Sequence, residues 1–83
     1  MAKTFFPTKS IYVDASEPHP PNTQYKISIG VEIWEDNNHE VIKVQMVYND
    51  KIAGRRSPSY PIGTSDYEKV HTEINKLMKQ RKI

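Results

Sequence analysis

The stretch that decides the fold is YKISIGVEIWEDNNHEVIKVQMVY, residues 25–48. Apolar side chains alternate with polar ones in both halves of this stretch, and a period of two is typical of strands that bury one face. The sequence therefore predicts an antiparallel hairpin with strands at 24–34 and 40–48. The alternating apolar residues are Tyr25, Ile27, Ile29, Val31 and Ile33, then Ile42, Val44, Met46 and Tyr48.

The register of the hairpin is constrained because a slip of one residue would turn a whole strand over. One register that keeps the apolar residues together pairs Ile33 with Ile42. It leaves residues 36–39 as a four-residue turn of short polar side chains, which suit such a turn. On the opposite face this register predicts two pairs, Glu32 with Lys43 and Trp34 with Val41.

The residues before the hairpin predict one strand and one loop. Residues 9–15 alternate and should add a short strand to the hairpin edge. Residues 16–23 carry three prolines, which fix the backbone and remove donors, so they predict an extended surface connector. Phe5 and Phe6 form an apolar patch that we expect to plug the core.

After the hairpin, Asn49 and Asp50 predict a second tight turn because both residue types tolerate left-handed backbone angles. A short or broken edge strand then falls within 51–62, where two prolines exclude a central position. A two-residue loop would pair Tyr48 with Lys51, and a three-residue loop would pair it with Ile52. Burial of the isoleucine favours the longer loop.

The last segment predicts a helix over residues 65–81, with Ser65 and Glu68 at the spacing of a capping box. Its apolar stripe is wide enough to cover a core. The chain as a whole, residues 1–83, thus predicts a single α+β domain: an antiparallel meander of three to four strands with one C-terminal helix packed across one face. The residues of the stripe are Tyr67, Val70, Ile74, Leu77, Met78 and Arg81.

Composition excludes several classes of function. The 83 residues include no cysteine, so the chain has no disulfide framework, thiol nucleophile or cysteine zinc site. His19, His39 and His71 lie on separate predicted elements, and no catalytic or nucleotide-binding motif occurs. We therefore expect a non-catalytic binding domain with no metal and no cofactor.

The apolar residues are too dispersed for a membrane span, since no stretch approaches the roughly 20 apolar residues that a spanning helix needs. The first residues also lack the apolar segment of a signal peptide. We accordingly expect a cytoplasmic protein without a membrane partner.

Charge is distributed unevenly and gives the main functional hypothesis. Residues 1–48 hold four basic and six acidic side chains, whereas residues 49–83 hold eight basic and four acidic ones. Basic side chains beside serines and an aromatic ring are suited to phosphate contacts and base stacking. The predicted nucleic-acid contacts are Lys43, Lys51, Arg55, Arg56 and Tyr60.

Trp34 supports the alternative hypothesis, a protein-interaction or inhibitor module. Strand parity places Trp34, Val41 and Val47 on the face away from the helix, where they form a candidate partner-binding patch. Phe5 and Phe6 would instead cover the ring if they folded over it. An open sheet edge would also allow pairing with a second copy of the chain, which makes a homodimer a further expectation.

Overall fold

The computed structural model describes residues 5–81. Four strands, each antiparallel to the next, form one sheet in sequential order, and the helix packs against β1 and β2. This confirms the predicted α+β meander with a C-terminal helix. The elements are β1 (Phe5–Asp14), β2 (Thr23–Trp34), β3 (Asn37–Tyr48), β4 (Lys51–Ala53) and α1 (Asp66–Arg81).

The central hairpin turns at Glu35 and Asp36, whose φ angles are 50° and 67°. Both residues have positive φ, as a type I′ turn requires, and this turn matches the right-handed twist of the flanking strands. Ile29 consequently pairs with Ile42, so the predicted pairing of Ile33 with Ile42 is wrong by four residues, and the predicted four-residue turn at 36–39 is replaced by a two-residue turn. The shift is even, and each residue therefore keeps its predicted face.

The predicted pairs on the other face change with the register. Trp34 pairs with Asn37, and Glu32 pairs with His39. Their expected partners, Val41 and Lys43, lie opposite Gly30 and Ser28. The directly opposed pairs are therefore wrong at both positions, although Lys43 reaches Glu32 diagonally and the two side chains form a salt bridge.

The second hairpin turns at Asn49 and Asp50, again with positive φ angles of 51° and 67°. Tyr48 pairs with Lys51, so the three-residue loop favoured by burial is wrong. Ile52 lies opposite Val47 instead, on the face away from the helix. β4 ends after three residues, where the Arg56 N–H donates to the Ala53 carbonyl at 3.1 Å.

β1 is longer than predicted because Phe5 and Phe6 belong to the strand and do not plug the core. Phe6 is 44% exposed. The strand has an irregularity between Pro7 and Lys9, opposite Gly30. A Cβ at Gly30 would lie 2.4 Å from the Phe6 carbonyl oxygen, so only glycine allows the two strands to approach this closely.

The core lies between the sheet and the side of α1 that carries Val70, Ile74 and Leu77. Tyr67 and Met78 of the predicted stripe are exposed, and the Arg81 side chain lies outside the described residues. The α1 backbone lies nearest to β1 and β2, and Ile42, Val44 and Met46 of β3 also pack in this core. The buried core residues are Tyr25, Ile27, Ile29, Met46, Val70 and Leu77.

Candidate functional site

Three basic side chains lie on β4 and the turn that follows it: Lys51, Arg55 and Arg56, here called the basic turn. All three are exposed. In the part of the chain whose side chains are described, residues 5–80, no salt bridge joins a carboxylate to the basic turn. The Arg56 guanidinium lies over the Tyr48 ring, 5.4 Å from its centroid, which orients this side chain on the sheet edge.

Tyr60 is half-buried in a stack of aromatic side chains, away from the solvent-exposed position expected for a base-stacking ring. Its ring lies 5.1 Å from that of Tyr25 with an interplanar angle of 24°, and Tyr67 packs edge-on at 5.6 Å. Burial, with a contribution from Tyr67, raises the pKa of the Tyr60 hydroxyl. Tyr60 therefore packs between Tyr25 and Tyr67 at the margin of the core, and the structure does not place it as a free stacking ring.

Lys43 lies on β3, five residues before Tyr48, a separation of about 17 Å along a strand. Its Nζ is 2.5 Å from Glu32 Oε2 and 5.0 Å from the centroid of the Phe5 ring. The hydrogen bond from Lys43 lowers the pKa of the Glu32 carboxyl, despite an opposing effect of desolvation. The structure thus separates Lys43 from the other predicted phosphate contacts and pairs its charge with that of Glu32.

The predicted partner-binding patch is only partly at the surface. Val47 is 3% exposed, so the expectation that it is accessible is wrong, and Val41 is half-buried. Trp34 is 49% exposed and stacks on His39, with ring centroids 4.6 Å apart. The Phe5 ring lies beside Lys43. About half of the Trp34 surface remains exposed to solvent.

Asp66, in the first turn of α1, is a central residue that sequence reasoning did not identify. Its side chain is fully buried, with 0% exposure, and accepts three hydrogen bonds. The donors are the Ser16 N–H at 2.9 Å, the Ser16 hydroxyl at 2.6 Å and the Tyr25 hydroxyl at 2.8 Å. These contacts join the proline-rich loop, β2 and the start of α1.

The hydrogen bonds determine the protonation state of this group, called here the Asp66 clamp (Asp66, Ser16 and Tyr25). Burial alone would raise the pKa of the Asp66 carboxyl, but the Ser16 and Tyr25 donors outweigh burial and lower it. Burial and the neighbouring carboxylate raise the pKa of Tyr25. All three donor groups, two from Ser16 and one from Tyr25, belong to the chain itself, and the clamp therefore joins distant parts of the fold.

The clamp extends into the proline-rich loop, which folds back onto the sheet and is not a plain extended connector. His19 packs edge-on against Tyr25, and its Nε2 lies 2.8 Å from the Ser59 carbonyl oxygen. Ser59 in turn precedes Tyr60 in the segment that leads from the basic turn to α1. In the sequence, this arrangement is indicated only by the position of Asp66 in the first turn of the predicted helix. An acidic residue there is equally expected because it interacts favourably with the positive end of the helix dipole.

Neither a metal centre nor a membrane span is found in the described part of the chain. No three histidine or acidic side chains of residues 5–81 are grouped to hold a metal ion, and no helix there is long and apolar enough to cross a membrane. Comparison with known protein families, with curated proteins and with solved structures finds no match. Function must accordingly be inferred from the side chains themselves.

Proposed function

We propose that the chain binds nucleic acid through the basic turn, with Arg55 and Arg56 on phosphate oxygens and Lys51 beside them. The observation that supports this most directly is that all three cations are exposed and have no carboxylate partner in the described residues. A phosphate would then not have to displace an internal ion pair. Arginine suits the role because its planar fork donates two parallel hydrogen bonds to a phosphate.

The position of the basic turn also favours a phosphate contact over base reading. The turn projects from the end of a three-residue edge strand, and Arg56 is held against Tyr48 of the neighbouring strand. Side chains that are fixed on a sheet edge can follow a sugar–phosphate backbone but carry no base-edge code of their own. We therefore expect binding that depends strongly on salt and weakly on sequence.

The test is fluorescence anisotropy with labelled duplex DNA, duplex RNA and single strands at low salt. The double variant R55A/R56A should weaken binding about tenfold or more, because charge-assisted hydrogen bonds contribute about 1.5–3 kcal/mol each. The matched control is K76A/K79A, which removes the same charge from two exposed helix positions. The proposal fails if wild type does not bind at low salt, or if the two double variants weaken binding equally.

The alternative is a protein-interaction module that uses the helix-free sheet face. The observation in its favour is the half-exposed Trp34 ring, with Tyr12 and Ile52 exposed on the same face. Trp34→Ala should then leave the unfolding midpoint almost unchanged, because an exposed side chain contributes little to stability, while it abolishes complex formation. A large fall in the midpoint would show instead that the ring belongs to the fold.

A further inference from the structure

The Tyr67 ring is the exposed end of the aromatic stack that contains Tyr60. Tyr67 is 60% exposed, although two neighbouring rings fix its position. Tyr60 packs edge-on at 5.6 Å, and His71 stacks on the Tyr67 ring at 5.9 Å with an interplanar angle of 21°. A side chain that is already held in place loses little conformational entropy when a ligand binds to it. Tyr67 therefore has the property that Tyr60 lacks, a fixed aromatic surface that is open to solvent.

The stack joins Tyr67 to the basic turn along the helix side of the sheet. The Arg56 guanidinium lies over the Tyr48 ring. Tyr48 and Tyr25 are on the helix side of neighbouring strands, at diagonal positions that long side chains can bridge. The Tyr60 ring lies 5.1 Å from that of Tyr25, and Tyr67 follows it in the stack. Arg56 and the exposed ring are consequently at the two ends of one aromatic row.

The distance between these two ends is short enough for one segment of nucleic acid. Tyr60 follows Arg56 by four residues, which span at most about 14 Å when fully extended. The Tyr67 ring is 5.6 Å from the Tyr60 ring. Since a stacked strand advances about 3.4 Å per nucleotide, a segment of a few nucleotides reaches from one end to the other.

The charges at the two ends differ and decide which part of a nucleotide each end can bind. The exposed cations of the basic turn attract phosphates. The exposed Glu68 follows Tyr67, and an acidic neighbour repels a phosphate but not a neutral base. Base faces are covered by stacking in a duplex, whereas in a single strand they can stack on an aromatic side chain. The arrangement therefore favours a single strand.

We propose that the chain binds single-stranded nucleic acid, with a base stacked on the Tyr67 ring and the neighbouring phosphates on the basic turn. This rests on the proposed function, phosphate binding by the basic turn, and adds Tyr67 as the residue that distinguishes a single strand from a duplex. Tyr60 and His71 are positioning residues, which hold the Tyr67 ring through their own ring contacts. Every base has a face that can stack, so the sequence preference stays weak.

The experiment is fluorescence anisotropy at low salt with a labelled mixed-sequence strand of about 16 nucleotides, and with the duplex that it forms with its complement. Wild type should bind the single strand more tightly than the duplex. Tyr67→Ala should weaken single-strand binding about fivefold or more and leave duplex binding unchanged, because the loss of one stacked base costs at least about that factor. Tyr67→Phe keeps the ring and should bind like wild type. The control Tyr12→Ala removes a tyrosine of similar exposure, 52%, from the other face of the sheet and should change neither affinity.

The outcomes separate the stacking role of Tyr67 from phosphate binding by the basic turn. R55A/R56A should weaken the binding of both probes, because both carry phosphates. The stacking role is overturned if wild type prefers the duplex, if Tyr67→Ala loses the same factor on both probes, or if it behaves like Tyr12→Ala. Phosphate binding by the basic turn still stands in those cases, provided that R55A/R56A weakens binding. Absence of wild-type binding to both probes overturns both.

Circular dichroism checks that each variant is folded. If Tyr67→Ala does not fold, ultraviolet cross-linking of wild type to a strand that contains 5-iodouracil decides the matter, because the excited base couples to an aromatic ring stacked on it. Mass spectrometry should then place the cross-link at Tyr67. A cross-link at other residues only, such as Trp34, or no cross-link at all, would contradict the stacking.

Discussion

Replacing Asp66 by asparagine tests whether the buried carboxylate holds the proline-rich loop, β2 and α1 together. Asparagine has nearly the same shape but no charge and only one acceptor oxygen, whereas Asp66 accepts three hydrogen bonds. A hydrogen bond to a charged group contributes about 1.5–3 kcal/mol, and the side chain is fully buried. We expect Asp66→Asn to lower the free energy of unfolding by about 2 kcal/mol.

That loss is large for a chain of this size, whose total stability should be roughly 4–12 kcal/mol. It corresponds to a fall in Tm of roughly 8–16 °C, measured by circular dichroism during heating and urea titration. Tyr25→Phe removes one of the three donors and should lower the free energy of unfolding by about half as much. Asp50→Asn, the same change in an exposed turn, is the control and should leave Tm nearly unchanged. If the free energy of unfolding of Asp66→Asn lies within about 0.5 kcal/mol of the wild-type value, the Asp66 clamp does not stabilise the fold as argued.

Three further outcomes follow from the described contacts. The pKa of Asp66 is lowered in the folded chain. The ionised carboxylate therefore stabilises the fold above the unfolded pKa of about 3.9, and this stabilisation is lost as pH falls through the folded pKa. The free energies of unfolding of wild type and Asp66→Asn, measured by acid titration, should accordingly converge as pH falls below about 4. Gly30→Ala should destabilise by about 1–3 kcal/mol in urea titration, because the added methyl group meets the Phe6 backbone, and a neutral result would contradict the close approach. Asp36→Gly should stabilise by about 0.5 kcal/mol, because glycine accepts positive φ without strain, whereas a four-residue turn at 36–39 would give no such gain.

Strand parity could be predicted from the sequence, but the register could not. Alternation distinguishes the two faces of a strand, and all registers that differ by two or four residues keep the same faces. The choice among them depended on a type I′ turn at Glu35, a residue type that rarely adopts positive φ. The same limit applies to Ile52. The two-residue turn at Asn49 and Asp50 sets the register, although this register leaves the Ile52 side chain exposed.

The exposure of the basic turn was predictable because adjacent charged residues after a short edge strand have nowhere to be buried. The separation of Lys43 from it was not predictable, since that distance depends on the register and on the reach of Glu32. Asp66 was missed for a different reason. An acidic residue in the first turn of a helix is common at the surface, and only the packing of a distant loop shows that this one is buried.

The most direct test of the proposed function is the salt dependence of duplex DNA binding by wild type and by R55A/R56A. Each phosphate contact contributes about 0.9 to the slope of log K against log salt concentration on duplex DNA. We predict that the slope of R55A/R56A is shallower than that of wild type by about 1.8, while that of K76A/K79A is unchanged. Equal slopes for wild type and R55A/R56A would contradict phosphate binding by the basic turn.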